Sequence, residues 1–276
     1  MRSTFSAGPL RQLVSRPVTR SRAANIHGAR FSSSNAGADA AQKKAQDALS
    51  SAQKSAEKLW ESTKTFLEPV TAKAGQMLGY GFIKMTIDRD PELVVPFVNA
   101  VLLAGTIEGE IHVAEDANGT IVGGAVWFGP GSEFCHSEAQ QERVLVPLLA
   151  QFDDELQTWW NDKFLPEYHG AIDQELGPSK RLRSYHLQLI GIAPNHPSQQ
   201  LATRMIRTVL EKAQKHGYDS LAEATNVINK QLFEQLGFID RGQKEFFGVK
   251  GNDKASMWVM VNPAPPRTDA GTSYMT

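Results

Sequence analysis

Cysteine is almost missing from this chain. Its 276 residues hold one, Cys135, which excludes an internal disulfide framework, a multi-cysteine zinc or iron-sulfur site and redox chemistry by paired thiols. That scarcity fits a reducing compartment. The seven histidines form no metal-ligand spacing, so no metal is expected. Long apolar runs are also lacking: the best stretch, residues 93–107, is broken by Pro96, Asn99 and Gly105 and falls short of the roughly 18 residues that span a bilayer. A soluble mature protein is expected. Acids are absent from residues 1–38, where six arginines (Arg2, Arg11, Arg16, Arg20, Arg22, Arg30) stand without a single carboxylate. The remaining residues carry 23 bases against all 30 acids, so the net charge of -1 hides a positive end and an acidic body. A nucleic-acid binder would show a basic surplus on its folded part, and that class is excluded.

What is present is a globular composition, 41% hydrophobic and 21% charged, enough for a sizeable core. The Arg-rich, Ser-rich, acid-free residues 1–31 read as a mitochondrial transit peptide, with a cut after Phe31 and a matrix destination. In residues 32–79, small or apolar side chains recur at Ala41, Ala45, Ala48, Ala52, Ala56, Leu59, Thr63 and Phe66, a helical stripe too shallow to fold alone. This segment, with Ala41-Gln42-Lys43-Lys44-Ala45-Gln46-Asp47-Ala48 and Ala72-Lys73-Ala74-Gly75-Gln76, resembles the matrix-side part of fungal mitochondrial ATP synthase subunit g. The resemblance implies a contact with the synthase through residues 36–79 and ends at Gly79-Tyr80-Gly81, where unrelated globular sequence begins. Residues 80–262 are expected to form one domain and residues 263–276 a disordered tail.

Within that domain, residues 82–87 supply an expected short first strand, and Asp90-Pro91 caps an apolar helix reaching Ala104. Residues 110–115 and 121–128 alternate as strands around the Asn118-Gly119 turn, predicting a hairpin. Residues 137–161 read as a helix and 162–182 as a loop with a short helix. A nearly continuous apolar strand follows at 184–193, then a strongly amphipathic helix over 198–216 closed by Gly217. A strand at 220–225, a short helix at 229–236 and strands near 238–241 and 256–261 complete an α/β layered structure with a mixed central sheet flanked by helices.

The run Leu187-Gln188-Leu189-Ile190-Gly191-Ile192-Ala193-Pro194, followed by Ala202 inside the amphipathic helix, resembles the acetyl-CoA motif of the GNAT superfamily of N-acetyltransferases. Ala222-Glu223-Ala224-Thr225, Asn229-Lys230-Gln231-Leu232-Phe233-Glu234-Gln235-Leu236-Gly237-Phe238 and Ala125-Val126-Trp127-Phe128-Gly129-Pro130-Gly131 extend the similarity over residues 88–262.

The resemblance implies a GNAT-like fold and direct transfer of acetyl from acetyl-CoA to a primary amine. It also implies a cofactor site made by Ile190, Gly191 and Ile192 on the strand, by the first-turn amides of Ser198, Gln199, Gln200, Leu201, Ala202 and Thr203, and by Asn229 and Phe233. Free amides in a helix's first turn suit a diphosphate. Two positions depart from the family: Gln200 replaces a glycine at the phosphate turn, and Phe233 stands where a tyrosine often protonates the leaving thiolate. These departures favour an alternative, a catalytically silent acyl-CoA binder. A second alternative is an accessory protein of ATP synthase. Glu223 and His186 are the candidate general bases, each weighed against an ordinary strand residue. Cys135 beside His136 is better read as a structural thiol than a nucleophilic pair, because adjacent residues point apart. Residues 133–178 hold ten acids and two bases, so they would either gather a cationic amine (polyamine, aminosugar or lysine side chain) or face water. Trp159-Trp160 would floor an acceptor site or pack in the core.

Overall fold

The computed structural model describes residues 11–13, 80–193, 196, 198–251 and 253–265. The expectations for the alanine-rich stripe, the synthase contact, most of the tail and all of the transit peptide but residues 11–13 lie outside these residues. The described strands are β1 (Arg11–Leu13), β2 (Glu110–Glu115), β3 (Ile121–Phe128), β4 (Tyr185–Ile192), β5 (Ser220–Ala224), β6 (Ile239–Phe247) and β7 (Lys254–Asn262). They form one mixed sheet in the order β1-β2-β3-β4-β5-β7-β6, with β4 and β5 the parallel pair and the other neighbours antiparallel.

Each face of the sheet carries its own core. On one face lie α5 (Ser198–Lys215) and α6 (Val227–Gln235), which pack Met205, Ile206, Val209, Leu232 and Phe233 against Ala125, Trp127, Ala222 and Met260. The buried positions of α5 recur every three or four residues, as its sequence pattern predicts. Gly217, at φ 71°, ends it with the Tyr218 amide bonded back to the Ala213 carbonyl. Asn226 caps α6, its side chain accepting from the Asn229 amide at 2.8 Å.

The other face carries α1 (Tyr80–Thr86), α2 (Pro91–Glu108) and two longer helical stretches. The first of these, α3, runs from Glu138–Gln140 through a π-helical turn at Gln141–Leu145 into Val146–Leu149. The second, α4, joins Asp154–Trp159, a π-helical turn at Trp160–Phe164 and Leu165–Leu176. By length and composition α2 could cross a membrane, yet Leu93, Val94, Val101 and Ala104 pack into this core. Gly105 permits that approach: a Cβ there would lie 2.7 Å from Val126 Cγ1.

Three expectations are corrected. Residues 82–86 are helical rather than a strand, with Ile87 in the turn that follows; this arrangement buries Met85 and Ile87 completely and sets Phe82 edge-on to Phe246 at 5.5 Å. The Trp160 indole also donates to the Thr86 carbonyl at 2.6 Å, tying α1 to α4. Residues 162–182 are mostly helix rather than loop, and the helix expected over 137–161 is interrupted where Asp153 caps a new start by accepting from the Leu156 amide. Pro147 and Pro166 lack an amide, which ordinarily breaks a helix. In each case a π-helical turn immediately precedes the proline, with the Val146 amide reaching Gln141 and the Leu165 amide reaching Trp160, so the helix absorbs the missing bond and continues.

Candidate active site

The parallel pairing of β4 with β5 covers only Tyr185, His186 and Leu187 against Ser220, Leu221 and Ala222. Beyond Leu187 the two strands part. The register between β4 and β3 shifts at the same place, where Leu187 faces Trp127 and Leu189 faces Val126, leaving Gln188 as a bulged residue. A bulge bends its strand and sharpens the local twist, which accounts for β4 turning away from β5. The edge it frees has a defined chemistry. Because the Ala193 amide donates to Val122 on β3, alternation along the strand directs the amides of Ile192 and Ile190 to the opposite side, into the gap.

A cleft of about 140 Å³ occupies this gap. Residues 187–190 of β4, Glu223, Thr225, Asn229 and Phe233 line its sheet side, and Phe82, Phe97, Phe134, Trp160, Phe164 and Tyr168 wall it from the face of α1, α2 and α4. Glu223 alternates with Ala222 and Ala224, which are buried toward α5 and α6, so its carboxylate emerges on the opposite face.

There Glu223 accepts from His186 Nε2 at 2.7 Å. His186 is fully buried and does not line the cleft, whereas Glu223 does. Burial pushes the Glu223 carboxyl up, but the charge of His186, its hydrogen bond and the charge of Arg181 outweigh that effect and hold the pKa below the ordinary carboxylate value. The two candidate bases are thus one unit, with the carboxylate in front and the imidazole behind.

A second cluster stands beside it without any local sequence signal. Arg181, also buried, pairs with Glu133 at 2.5 Å, bonds His169 Nδ1 and lies 5.2 Å over the Tyr168 ring. Burial and the Glu223 charge both raise the Tyr168 pKa, which keeps the phenol protonated in the cleft wall.

The remaining expected site residues divide. Ile190 lines the cleft, with Gly191 and Ile192 completing β4 above it. Asn229 is buried there with its side-chain oxygen lacking a hydrogen-bond partner, and Phe233 is buried beside Phe238. The helix start at Ser198 carries Gln199 and Gln200 with exposed side chains, while Leu201 and Ala202 are buried and Thr203 is half-buried. Pro194, Asn195 and Pro197, in the turn before it, lie outside the described residues. Cys135 is a structural thiol, since burial pushes it up to about 12. Trp159 and Trp160 are both core residues, and Trp160 also forms part of the cleft wall. Of the ten acids in residues 133–178, none lines the cleft. Glu133 is buried against Arg181, and seven, including Asp153, Asp154 and Glu155, are exposed.

The sequence model of the Acetyltransferase (GNAT) family matches residues 108–238, the span that holds β2 to β5 and both motif helices. No curated protein matches the chain. Among solved structures, arylalkylamine N-acetyltransferase 2 from Aedes aegypti is similar at 14% identity and a TM-score of 0.49, covering 76% of this chain and 96% of that one. A histone acetyltransferase HPA2 and related acetyltransferase from Corynebacterium glutamicum shares 16% identity at a TM-score of 0.46, over 74% of this chain and 92% of its own. The Drosophila melanogaster polyamine N-acetyltransferase shares 15% identity at a TM-score of 0.41, over 65% and 86%.

Proposed function

We propose, from the match of residues 108–238 to the model of the Acetyltransferase (GNAT) family, that this chain is an N-acetyltransferase with acetyl-CoA as co-substrate and passes acetyl directly to a primary amine in the gap between β4 and β5. The observation that carries the reading is the amide-bearing edge of β4 facing a cleft in which Glu223, the one lining carboxylate among the described residues, stands across the gap on β5. The residues fit the co-substrate in two ways: the amides of Ile190 and Ile192 point into the gap, and the first-turn amides of α5 lack helical partners. Bound there, acetyl-CoA supplies an activated thioester.

In this reading Glu223, held ionised by His186 and Arg181, binds the ammonium form of the acceptor and takes its proton, directly or through one water. The neutral nitrogen then bonds to the thioester carbon, and a β4 amide donates to the oxygen on which negative charge develops. Collapse breaks the carbon-sulfur bond, and the thiolate leaves with a proton drawn from the amine. Asn229, with an unmatched carbonyl oxygen, adds an acceptor for the incoming molecule.

Phe233 favours a second reading, an acyl-CoA binder without turnover, because its ring offers no proton to a departing thiolate. Thiol release from acetyl-CoA, followed with and without added primary amines, separates the two. Amine-dependent release supports the transferase. A melting temperature raised by acetyl-CoA with no amine-dependent release supports the silent binder. The acid-free arginine segment at residues 1–38 supports a mitochondrial matrix setting for either.

A further inference from the structure

The walls of the cleft carry more information than its catalytic edge. Its outer wall is six aromatic rings contributed by α1, α2, the segment before α3, and α4: Phe82, Phe97, Phe134, Trp160, Phe164 and Tyr168. Phe164 gathers this wall, with its ring centroid 5.0 Å from Trp160, 5.8 Å from Tyr168 and 6.1 Å from Phe82. Among the described residues, Glu223 is the one carboxylate lining the cleft, and no basic side chain lines it. The charged groups near Glu223 are already committed, His186 to Glu223 itself and Arg181 to Glu133 and the Tyr168 ring. The acidic stretch in which a polyamine would find its further counter-charges turns outward.

We infer that the acceptor is an arylalkylamine-type molecule: one aromatic ring, a short alkyl link and a single primary amine. This deepens the transferase reading and rests on it. The ring lies among the six side chains, edge or face to Phe164 and Trp160. The ammonium reaches Glu223 across the short link. Size agrees, since a cleft of about 140 Å³ is close to the roughly 150 Å³ apolar cavity known to hold one benzene ring. A polyamine fits poorly, because its second cation would be stripped of water among rings with no carboxylate to meet it.

The test uses the full chain with acetyl-CoA and compares 2-phenylethylamine, spermidine and ethylamine by thiol release. The expected result is a kcat/KM for 2-phenylethylamine at least tenfold above that for either of the others. Phe134, half-buried on a loop beside Phe128, gives the mildest change to the wall: Phe134→Leu, with its fold checked by a melting curve, is expected to raise the KM for 2-phenylethylamine several-fold and that for ethylamine less. Equal rates for 2-phenylethylamine and ethylamine, or a preference for spermidine, would overturn the inference while leaving acetyl transfer intact. If no amine accelerates release, the transferase reading falls and the inference with it.

Discussion

Replacing Glu223 by glutamine removes one charge and almost no volume. In the wild-type protein the carboxylate accepts from the buried His186 at 2.7 Å and faces the cleft, so in the proposed mechanism one group serves both structure and chemistry. Glutamine keeps a carbonyl oxygen for the imidazole. The structural loss is therefore the difference between a charge-assisted and a neutral hydrogen bond, about 1 kcal/mol. Alanine would be a poor probe, because it strands a fully buried imidazole and typically costs about 3–5 kcal/mol. The chemical loss should be much larger than the structural one. A positioned proton acceptor contributes about 10²–10⁴ in rate. Glu223→Gln is thus expected to lower kcat/KM for the amine at least a hundredfold while the affinity for acetyl-CoA changes little. Thiol release measures the first, calorimetric titration the second, and a melting curve confirms the fold. A variant that retains kcat/KM within threefold of wild type would refute the assignment of the proton to Glu223.

Acid should destabilise the fold in a defined window. Burial raises the carboxyls of Glu223, Asp219 and Glu110, but His186 and Arg181, the Ala264 amide and Lys180, and His112 and Lys212 respectively pull each below its ordinary value. Their stabilisation is present above the unfolded values near about 4 and is lost as pH falls through the lower folded ones, so melting temperatures should fall steeply below about pH 4. A curve flat to pH 2.5 would contradict these pairs. Phe233→Tyr places a phenol in the cleft and is expected to raise kcat severalfold at unchanged amine KM, unless thiolate departure needs no donor at that position. Gly105→Ala puts a methyl 2.7 Å from Val126 and should cost about 1–3 kcal/mol in denaturant unfolding, despite the better helix propensity of alanine. Unchanged stability would mean that α2 can move off β3.

The parts of the fold that were legible carry a short-range signature. The hairpin showed itself through Asn118-Gly119, where Asp116 does indeed bond the amides of Asn118 and Thr120 and Gly119 takes φ 79°. The spacing from Leu201 to Ala213 marked α5, and Gly217 marked its end. Where the expectation failed, a local rule met a tertiary one. Pro166 lacks an amide, but the π-helical turn before it lets α4 continue, and the four apolar residues among 82–87 fit a strand until Phe246 and Trp160 are there to bury a helix. The site divides in the same way. His186 and Glu223 were each visible as candidates, yet their union spans 37 positions and needs the sheet to create it. Arg181, Glu133, His169 and Tyr168 come from three separate elements and share no spacing, so nothing in the chain announces them. Nor does composition distinguish acids that line a cleft from acids that face water, which is why the charge of residues 133–178 left both readings open until the fold placed none of these acids on the cleft and seven of them on the surface.

Hydrogen exchange on the full chain, with and without acetyl-CoA, tests the central claim most directly. Amides of residues 188–192 and of the first turn of α5 are expected to slow on binding, with Ile190 and Ile192 most protected, while the outer hairpin of β6 and β7 is unchanged. Acetyl-CoA that binds without protecting the β4 edge, or that does not bind, would contradict the account.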